Sequence, residues 1–271
     1  MGVLTGKTAV VTGASSGIGR AVALHMGEAG AHVFAAGRRA EALADTVAAV
    51  ARTGGAATSV AADLRDPDAV QGLVDQAMAG TGRLDVMVNN AGVSFRGPLA
   101  DGDPRAWREM LEVNVLALAV GSRAAVRAMR ACGAEGHIVN VSSSASRLEA
   151  PGFYGATKTA VNAITASLRR ELENDTIRVV TVIPGPTATN LARYQPDLLR
   201  GLAASLGEDI GLPSDGLFPP ETLDRTAAAA SQFLASADDV ARAVLFAITQ
   251  PIELSIAEIA VQPARRLTIP A

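Results

Sequence analysis

The stretch Thr8–Leu24, TAVVTGASSGIGRAVAL, passes from a β-branched run through three glycines into an alanine-rich segment with helical spacing. A short apolar run, a glycine turn and a helix in direct succession form the first crossover expected of a parallel, doubly wound sheet. In the turn, Gly13, Gly17 and Gly19, with Ser15, Ser16 and Ile18 between them, let backbone N–H groups and a helix N-terminus approach a phosphate without Cβ obstruction. The spacing is G-x-x-x-G-x-G rather than G-x-G-x-x-G, so the position of the turn after the first strand carries more of the argument than the glycines themselves.

The same alternation continues along the chain. Apolar runs recur at HVFAA (32–36), ATSVAA (57–62), LDVMVN (84–89), HIVNVS (137–142), IRVVTVI (177–183) and IELSIAEIAV (252–261). Between them, segments such as Ala21–Ala29, Glu41–Arg52 and Trp107–Arg130 have helical spacing. The expectation is an α/β fold with a doubly wound parallel sheet of about seven strands, buried under helices on both faces. Asp66-Pro67 and Asp103-Pro104 each place an N-cap before a helix-starting proline, and Gly30 and Gly54 fall where helices should stop. The pattern breaks between about residues 186 and 237, a long loop of the kind that serves function. The 271 residues, 49% hydrophobic, suit one domain, 1–271, with that loop as a substrate lid.

Net charge is −3 and no run of lysines and arginines stands out, which argues against nucleic acid or an anionic membrane as partner. The single cysteine, Cys132, excludes an internal disulfide and suits a reducing compartment. The opening MGVLTGKTAVVTGA has no signal-peptide pattern, and no apolar stretch is long enough to span a bilayer, so a cytoplasmic protein with small-molecule partners is expected. His25, His32 and His137 are scattered, which implies no metal, and no G-x-S-x-G elbow suggests a serine hydrolase.

The second strand ends in AAGRR. An acidic residue at its tip would accept the ribose 2′-hydroxyl of NAD, but Gly37 stands there, followed by Arg38 and Arg39, which can neutralise a 2′-phosphate with help from Ser15. NADP is therefore favoured over NAD.

Further motifs follow in order: NNAG at 89–92, Asn114 in EVNV, the serines of VSSS, YGATK at 154–158 and IPG at 183–185. Together with TGASSGIG they resemble the short-chain dehydrogenase/reductase family from Lys7 to about Gly185. The resemblance implies a Rossmann-like fold that moves hydride between NAD(P)(H) and a carbonyl or alcohol.

Residues i and i+4 share a helix face, so Lys158 can bring its ammonium near Tyr154. Lowering a phenol from a pKa of about 10 to about 7 requires ~4 kcal/mol. One ammonium at ~4 Å supplies that only where the effective dielectric is ~20 rather than that of water. By resemblance, Tyr154 is the general acid in reduction and the base in oxidation, and Lys158 tunes it and holds the ribose. A serine hydroxyl polarises the substrate oxygen, and Asn114 holds a water in a proton relay. The family commonly places the serine thirteen residues before the tyrosine, where this chain has Val141. Ser143 matches the local context, with Ser142 and then Ser144 as alternatives, and the implied shortening puts Phe153 beside Tyr154. In isolation, Asn114 would read as a core amide and the Tyr154–Lys158 pair as an exposed helix pair.

The resemblance further places Asp63 and Leu64 at adenine, Asn90, Ala91 and Gly92 in a cofactor-side turn, and Pro184, Gly185, Thr187 and Thr189 near the nicotinamide amide or phosphate. Asp63 can also cap the turn into Asp66-Pro67. Leu148, Phe153, Tyr194 and Phe218 suggest a moderately hydrophobic ketone or secondary alcohol. Arg147 or Arg96 meeting a carboxylate would instead suit small hydroxy or keto acids. An epimerase or dehydratase, or a nucleotide-sensing regulator, are the rival classes. A homo-oligomer, tetramer or dimer, is implied, with the Trp107–Arg130 and Tyr154–Arg170 helices as candidate interfaces.

Overall fold

The computed structural model describes residues 2–95, 97–147, 152–191 and 220–265. Seven strands form one sheet of parallel neighbours in the order β3-β2-β1-β4-β5-β6-β7. They are β1 (Thr8–Thr12), β2 (His32–Gly37), β3 (Ala56–Ala61), β4 (Val86–Asn89), β5 (Gly136–Val141), β6 (Ile177–Pro184) and β7 (Glu258–Val261). The order reverses between β1 and β4, the switch point beyond whose carboxyl ends sheets of this kind bind ligands. This is the Rossmann-like doubly wound sheet expected from the sequence.

Alternate side chains of each strand feed two cores. Ala9, Val11, Val33, Ala35, Val86 and Val88 pack under α1 (Gly17–Glu28) and the late helix Ala237–Ile248. Val10, Phe34, Ala36, Met87 and Ile138 pack under α3 (Pro67–Thr81) and α5 (Ala117–Cys132). Burial on both faces explains why the strands read as continuous apolar runs rather than alternating ones. α2 (Ala40–Arg52) and α6 (Phe153–Glu171) complete the crossovers between neighbouring strands.

Local chemistry sets the helix ends. Asp66 and Asp103 accept N–H bonds from Asp68 and Arg105, each with proline at the start of its helix, as the sequence predicts. Gly30 and Gly54 have φ of +99° and +82°, which suits the residue following a helix. The helix expected over 107–130 is longer and interrupted: α4 (Pro104–Met110) runs through a π turn, Leu111–Leu116, into α5. Of the apolar stretch 252–261, only Glu258–Val261 pairs, because a parallel strand needs a partner and β6 offers one only at Thr181–Pro184. Within the segment expected as a lid, residues 192–219, including Tyr194 and Phe218, lie outside the described residues, as do Arg96 and Leu148. The described remainder contains α7 (Pro220–Ala229), followed by the Ala237–Ile248 helix as α8, so part of the expected loop is helical. Ala188, Ala227, Ala230 and Leu234 bury each other there, supplying the apolar contact that fixes the helix.

At the amino ends of the strands, buried Asp85 accepts the Thr8 N–H at 2.9 Å and is paired with Arg83 at 2.6 Å and Lys7 at 3.1 Å. Burial raises its pKa, but these partners outweigh burial and hold the carboxyl below its ordinary value. Asp85→Ala would strand the Thr8 N–H and release two cations. Urea unfolding is expected to show a loss of about 1–3 kcal/mol, since Lys7 and Arg83 can turn to water while the Thr8 N–H cannot, with Asp85→Asn losing less because it keeps an acceptor for Thr8.

The histidines stand apart. His25 meets Asp238, His32 stacks on Phe34, and burial, with Arg178 and Lys7 nearby, lowers His137 to about 4. Among the described residues no group of metal-ligating side chains forms, and no helix is long and apolar enough to cross a membrane.

Candidate active site

The carboxyl ends of β1, β4, β5 and β6 bring the motifs of the sequence together. After β1, Gly13 (φ +68°) turns the chain, and a Cβ there would lie 2.8 Å from the Asn90 amide nitrogen. A Cβ on Gly19 would lie 2.4 Å from the Gly13 carbonyl oxygen, so only glycine permits this close approach. Ser16 stands at the N-cap of α1 and makes no side-chain cap bond, which leaves the first-turn N–H groups to an anion. The chain after β6 returns over this turn, and a Cβ on Gly17 (φ +54°) would meet the Thr189 methyl group at 3.2 Å. A glycine cradle with unspent helix N–H donors fits a dinucleotide pyrophosphate.

At the tip of β2, Arg39 reaches the Ser15 carbonyl and hydroxyl at 3.4 and 3.5 Å, while Arg38 pairs with Glu109 at 3.8 Å. A Cβ on Gly37 would find Ser15 Oγ at 3.5 Å, so Gly37, Ser15 and Arg39 form one corner of the site. Asp63 accepts the Arg65 N–H at 3.0 Å and pairs with the Arg65 guanidinium, which holds its carboxyl down to about 2. It therefore caps its turn, and Leu64 behind it is buried. After β4, the Thr12 hydroxyl accepts the N–H groups of Asn90 (3.0 Å) and Ala91 (3.1 Å), and the Asn90 amide donates to the Thr12 carbonyl at 2.9 Å.

Tyr154 is 8% exposed and Lys158 3%, so the pair is buried rather than a solvated helix pair. Lys158 Nζ donates to the Val141 carbonyl at 2.9 Å and stands 6.0 Å from the centre of the Tyr154 ring. Burial pulls the Lys158 pKa down to about 8. Gly92 is the hub: a Cβ there would lie 3.4 Å from Asn114 Oδ1 and 3.6 Å from Lys158 Nζ. Asn114 is 1% exposed and lies in the π turn. Its amide accepts the Val93 N–H (2.8 Å) and donates to the Val93 carbonyl (2.9 Å) and Thr157 Oγ (3.1 Å). It bonds the loop after β4 instead of its own helix, so the core-amide alternative holds only for its burial. Thr157 in turn donates to the Tyr154 carbonyl at 2.7 Å. Thr157 and Thr12 were missed by sequence reasoning, although a hydroxyl three residues after the tyrosine, on its helix, was a readable signal.

The serines separate. Ser142 is buried and donates to the Lys158 carbonyl at 3.3 Å, which commits its hydrogen to the backbone. Ser143 Oγ accepts the Ala145 N–H at 3.2 Å and keeps its own hydrogen for another acceptor. Ser144 opens the short 3₁₀ turn Ser144–Ser146. Val93, Met110, Val113 and Tyr154 form an apolar cluster with Phe95, Ala145, Phe153 and Leu191 at its edge, and Phe153 stacks on Trp107 at 5.2 Å. Arg147 pairs with Glu258. Gly185 packs against Gln262, and Thr187 Oγ bonds the Gly185 carbonyl at 2.9 Å, next to buried Pro184.

The family model described as short chain dehydrogenase matches residues 7–198. The chain belongs to the short-chain dehydrogenase/reductase family. It is an NAD(P)-dependent oxidoreductase of that family, acting on small molecules. It is 35% identical over 239 residues to the 3beta-hydroxysteroid dehydrogenase 2 of Eggerthella lenta, covering 86% of this chain and 89% of that one. It is 34% identical over 265 residues to the glycine betaine reductase ATRR of Emericella nidulans, covering 97% of this chain but spanning only 19% of that protein's length. A metagenomic short-chain oxidoreductase solved in complex with NADP superposes with a TM-score of 0.75 at 32% identity, covering 96% of this chain and 99% of that one.

Proposed function

We propose that this protein is an NADP(H)-dependent reductase of moderately hydrophobic ketones, running in reverse on the corresponding secondary alcohols, with Tyr154 as its acid and base. The observation that carries the reading is the buried Tyr154–Lys158 pair joined through Gly92 to Asn114 beside the glycine cradle. A dinucleotide held in the glycine cradle would supply hydride in one direction and accept it in the other. In reduction, Tyr154 gives its phenolic proton to the carbonyl oxygen as negative charge develops there, and Ser143 donates a hydrogen bond to the same oxygen. The Lys158 ammonium steadies the phenolate left on Tyr154, and burial strengthens that attraction by excluding water. Asn114 holds Val93 and Thr157 around the lysine, and a water held beside it would link Lys158 to solvent for the returning proton.

NADP as the preferred cofactor is supported by the missing acid at Gly37, by the Arg39–Ser15 corner and by the NADP held in the metagenomic relative. Gly37 has ordinary contact distances around a built Cβ, so an acid is tolerated there. Gly37→Asp is expected to lower the NADPH-to-NADH ratio of kcat/KM about 100-fold, or ~2.8 kcal/mol, by repelling a 2′-phosphate and accepting a 2′-hydroxyl. Steady-state kinetics with both cofactors check it.

The apolar rim of Phe95, Ala145, Phe153 and Leu191 beside Tyr154 supports a hydrophobic substrate, as does the steroid alcohol in the name of the Eggerthella relative. Arg147, spent on Glu258, offers no support for hydroxy acids. Leu111 and Leu116, half-exposed on the α4–α5 helix, support a homo-oligomer. NADPH oxidation across apolar ketones, bulky alicyclic ketones and keto acids tests the substrate class, and keto acids turned over far faster than apolar ketones would overturn it.

A further inference from the structure

The turn that bears the serine cluster is bolted to the helix that bears Tyr154 and Lys158. Ser143 has extended backbone, and its carbonyl accepts both the N–H (3.0 Å) and the hydroxyl (2.7 Å) of Ser146. A carbonyl can only accept, so the single hydroxyl hydrogen of Ser146 points to Ser143. Ser146 Oγ must then receive, and Asn162 Nδ2 donates to it at 2.9 Å. That requirement fixes which end of the Asn162 amide faces the turn, even though Oδ1 is left buried with no hydrogen-bond partner among the described residues. The Thr159 hydroxyl shares its hydrogen between the Gly155 carbonyl (3.0 Å) and the Ser146 carbonyl (3.2 Å), and a Cβ on Gly155 would lie 3.0 Å from the Ala145 carbonyl oxygen, so the turn sits close against α6. Asn162 follows Tyr154 and Lys158 at successive four-residue steps on one helix face.

We propose that Asn162 is a positioning residue: through Ser146 it fixes the Ser143 peptide, and so aims the Ser143 hydroxyl at the oxygen that Tyr154 protonates. The inference rests on the assignment of Ser143 as the polarising hydroxyl. It makes the distance between the two groups acting on that oxygen a property of a single helix, α6.

The test is a double-mutant cycle on the NADPH-loaded enzyme, with the apolar ketone of the panel above that is turned over fastest. Asn162→Ala and Ser146→Ala are each expected to lower kcat by on the order of tenfold to 100-fold, the scale of a slightly misplaced catalytic group, with KM and NADPH affinity little changed. In a Ser143→Ala background the same substitutions should cost almost nothing further, because there is no hydroxyl left to aim. Asn162→Asp, which can only accept, should fail as Asn162→Ala does by drawing the Ser146 hydrogen away from Ser143. Thermal unfolding and NADPH affinity of each variant identify misfolding, and the Ser146 variant stands in if the Asn162 variant is unstable. Unchanged kcat in both single variants, or an equal loss in the Ser143→Ala background, overturns the inference while leaving the assignment of Ser143 intact. Full activity in Ser143→Ala alone overturns the assignment and the inference with it.

Discussion

Tyr154→Phe is expected to reduce kcat for ketone reduction by about 10²–10⁴-fold, the range for removal of a positioned general acid. The substitution deletes one oxygen from a side chain that is 8% exposed and packed with Val93, Met110 and Val113. The ring, its stack of neighbours and the Thr157 bond to the Tyr154 carbonyl all survive, so the variant should fold and bind NADPH as the wild type does. Stopped-flow reduction, NADPH titration and thermal unfolding separate these outcomes. A variant that kept more than about a tenth of wild-type kcat would remove Tyr154 from the mechanism.

Lys158→Met has two effects of opposite sign. At 6.0 Å from the ring centre, an ammonium in an effective dielectric of ~20 is worth about 3 kcal/mol to a phenolate, or roughly two pKa units. In the oxidation direction, where Tyr154 must act as base, kcat/KM near neutral pH is expected to fall about 100-fold, with the ascending limb of the pH profile displaced upward by about two units. The deficit should narrow above pH 8, where wild-type Lys158 itself loses its charge.

The stability of the cofactor-free protein should move the other way. The unfolded chain titrates Lys158 at 10.5 and the folded chain at about 8, so between those values the unfolded state binds more protons and wild-type stability rises with pH. Below pH 8 the full cost of the buried ammonium applies, about 3 kcal/mol, against about 1 for the Val141 hydrogen bond that methionine forgoes. Urea unfolding at pH 7 should therefore find Lys158→Met more stable by about 2 kcal/mol, with the advantage gone at pH ~9.5 and the wild type ahead by about 1 kcal/mol at higher pH. A variant less stable than wild type at pH 7 would mean that Lys158 is not buried as a cation.

These two residues were legible without coordinates because their chemistry is local: four residues on a helix place two side chains on one face whatever surrounds them. The glycine turn after β1 was legible by its position between strand and helix, but what crowds it is not local: a Cβ on Gly13 or Gly19 would also meet Asn90 from the loop after β4. Asn114 was legible only as one member of a set of motifs. What it does depends on the Val93 loop, which lies 21 residues away in sequence and is reached through a π turn that no periodicity marks. Telling Ser142, Ser143 and Ser144 apart required hydroxyl partners, since Ser142 donates to the Lys158 carbonyl whereas Ser143 Oγ accepts the Ala145 N–H. Asn162 drew no notice at all, because an asparagine on a polar-flecked helix face looks the same whether it meets solvent or Ser146.

By itself, the sequence determined the parallel, doubly wound class, the glycine turn after β1, the helical spacing of Tyr154 and Lys158 and the lack of an acid at the tip of β2. Each depends on residue types within a few positions of one another, where hydrophobic period, glycine freedom and helix spacing act directly. The tertiary structure alone decided which serine keeps its hydrogen, that Asp63 and Arg147 are already paired, that Lys158 is dry enough to titrate near 8, and that α6 holds the serine turn. Those are questions of desolvation and of donor-to-acceptor direction. They are settled by groups that β5, α6 and β7 bring together from distant parts of the chain.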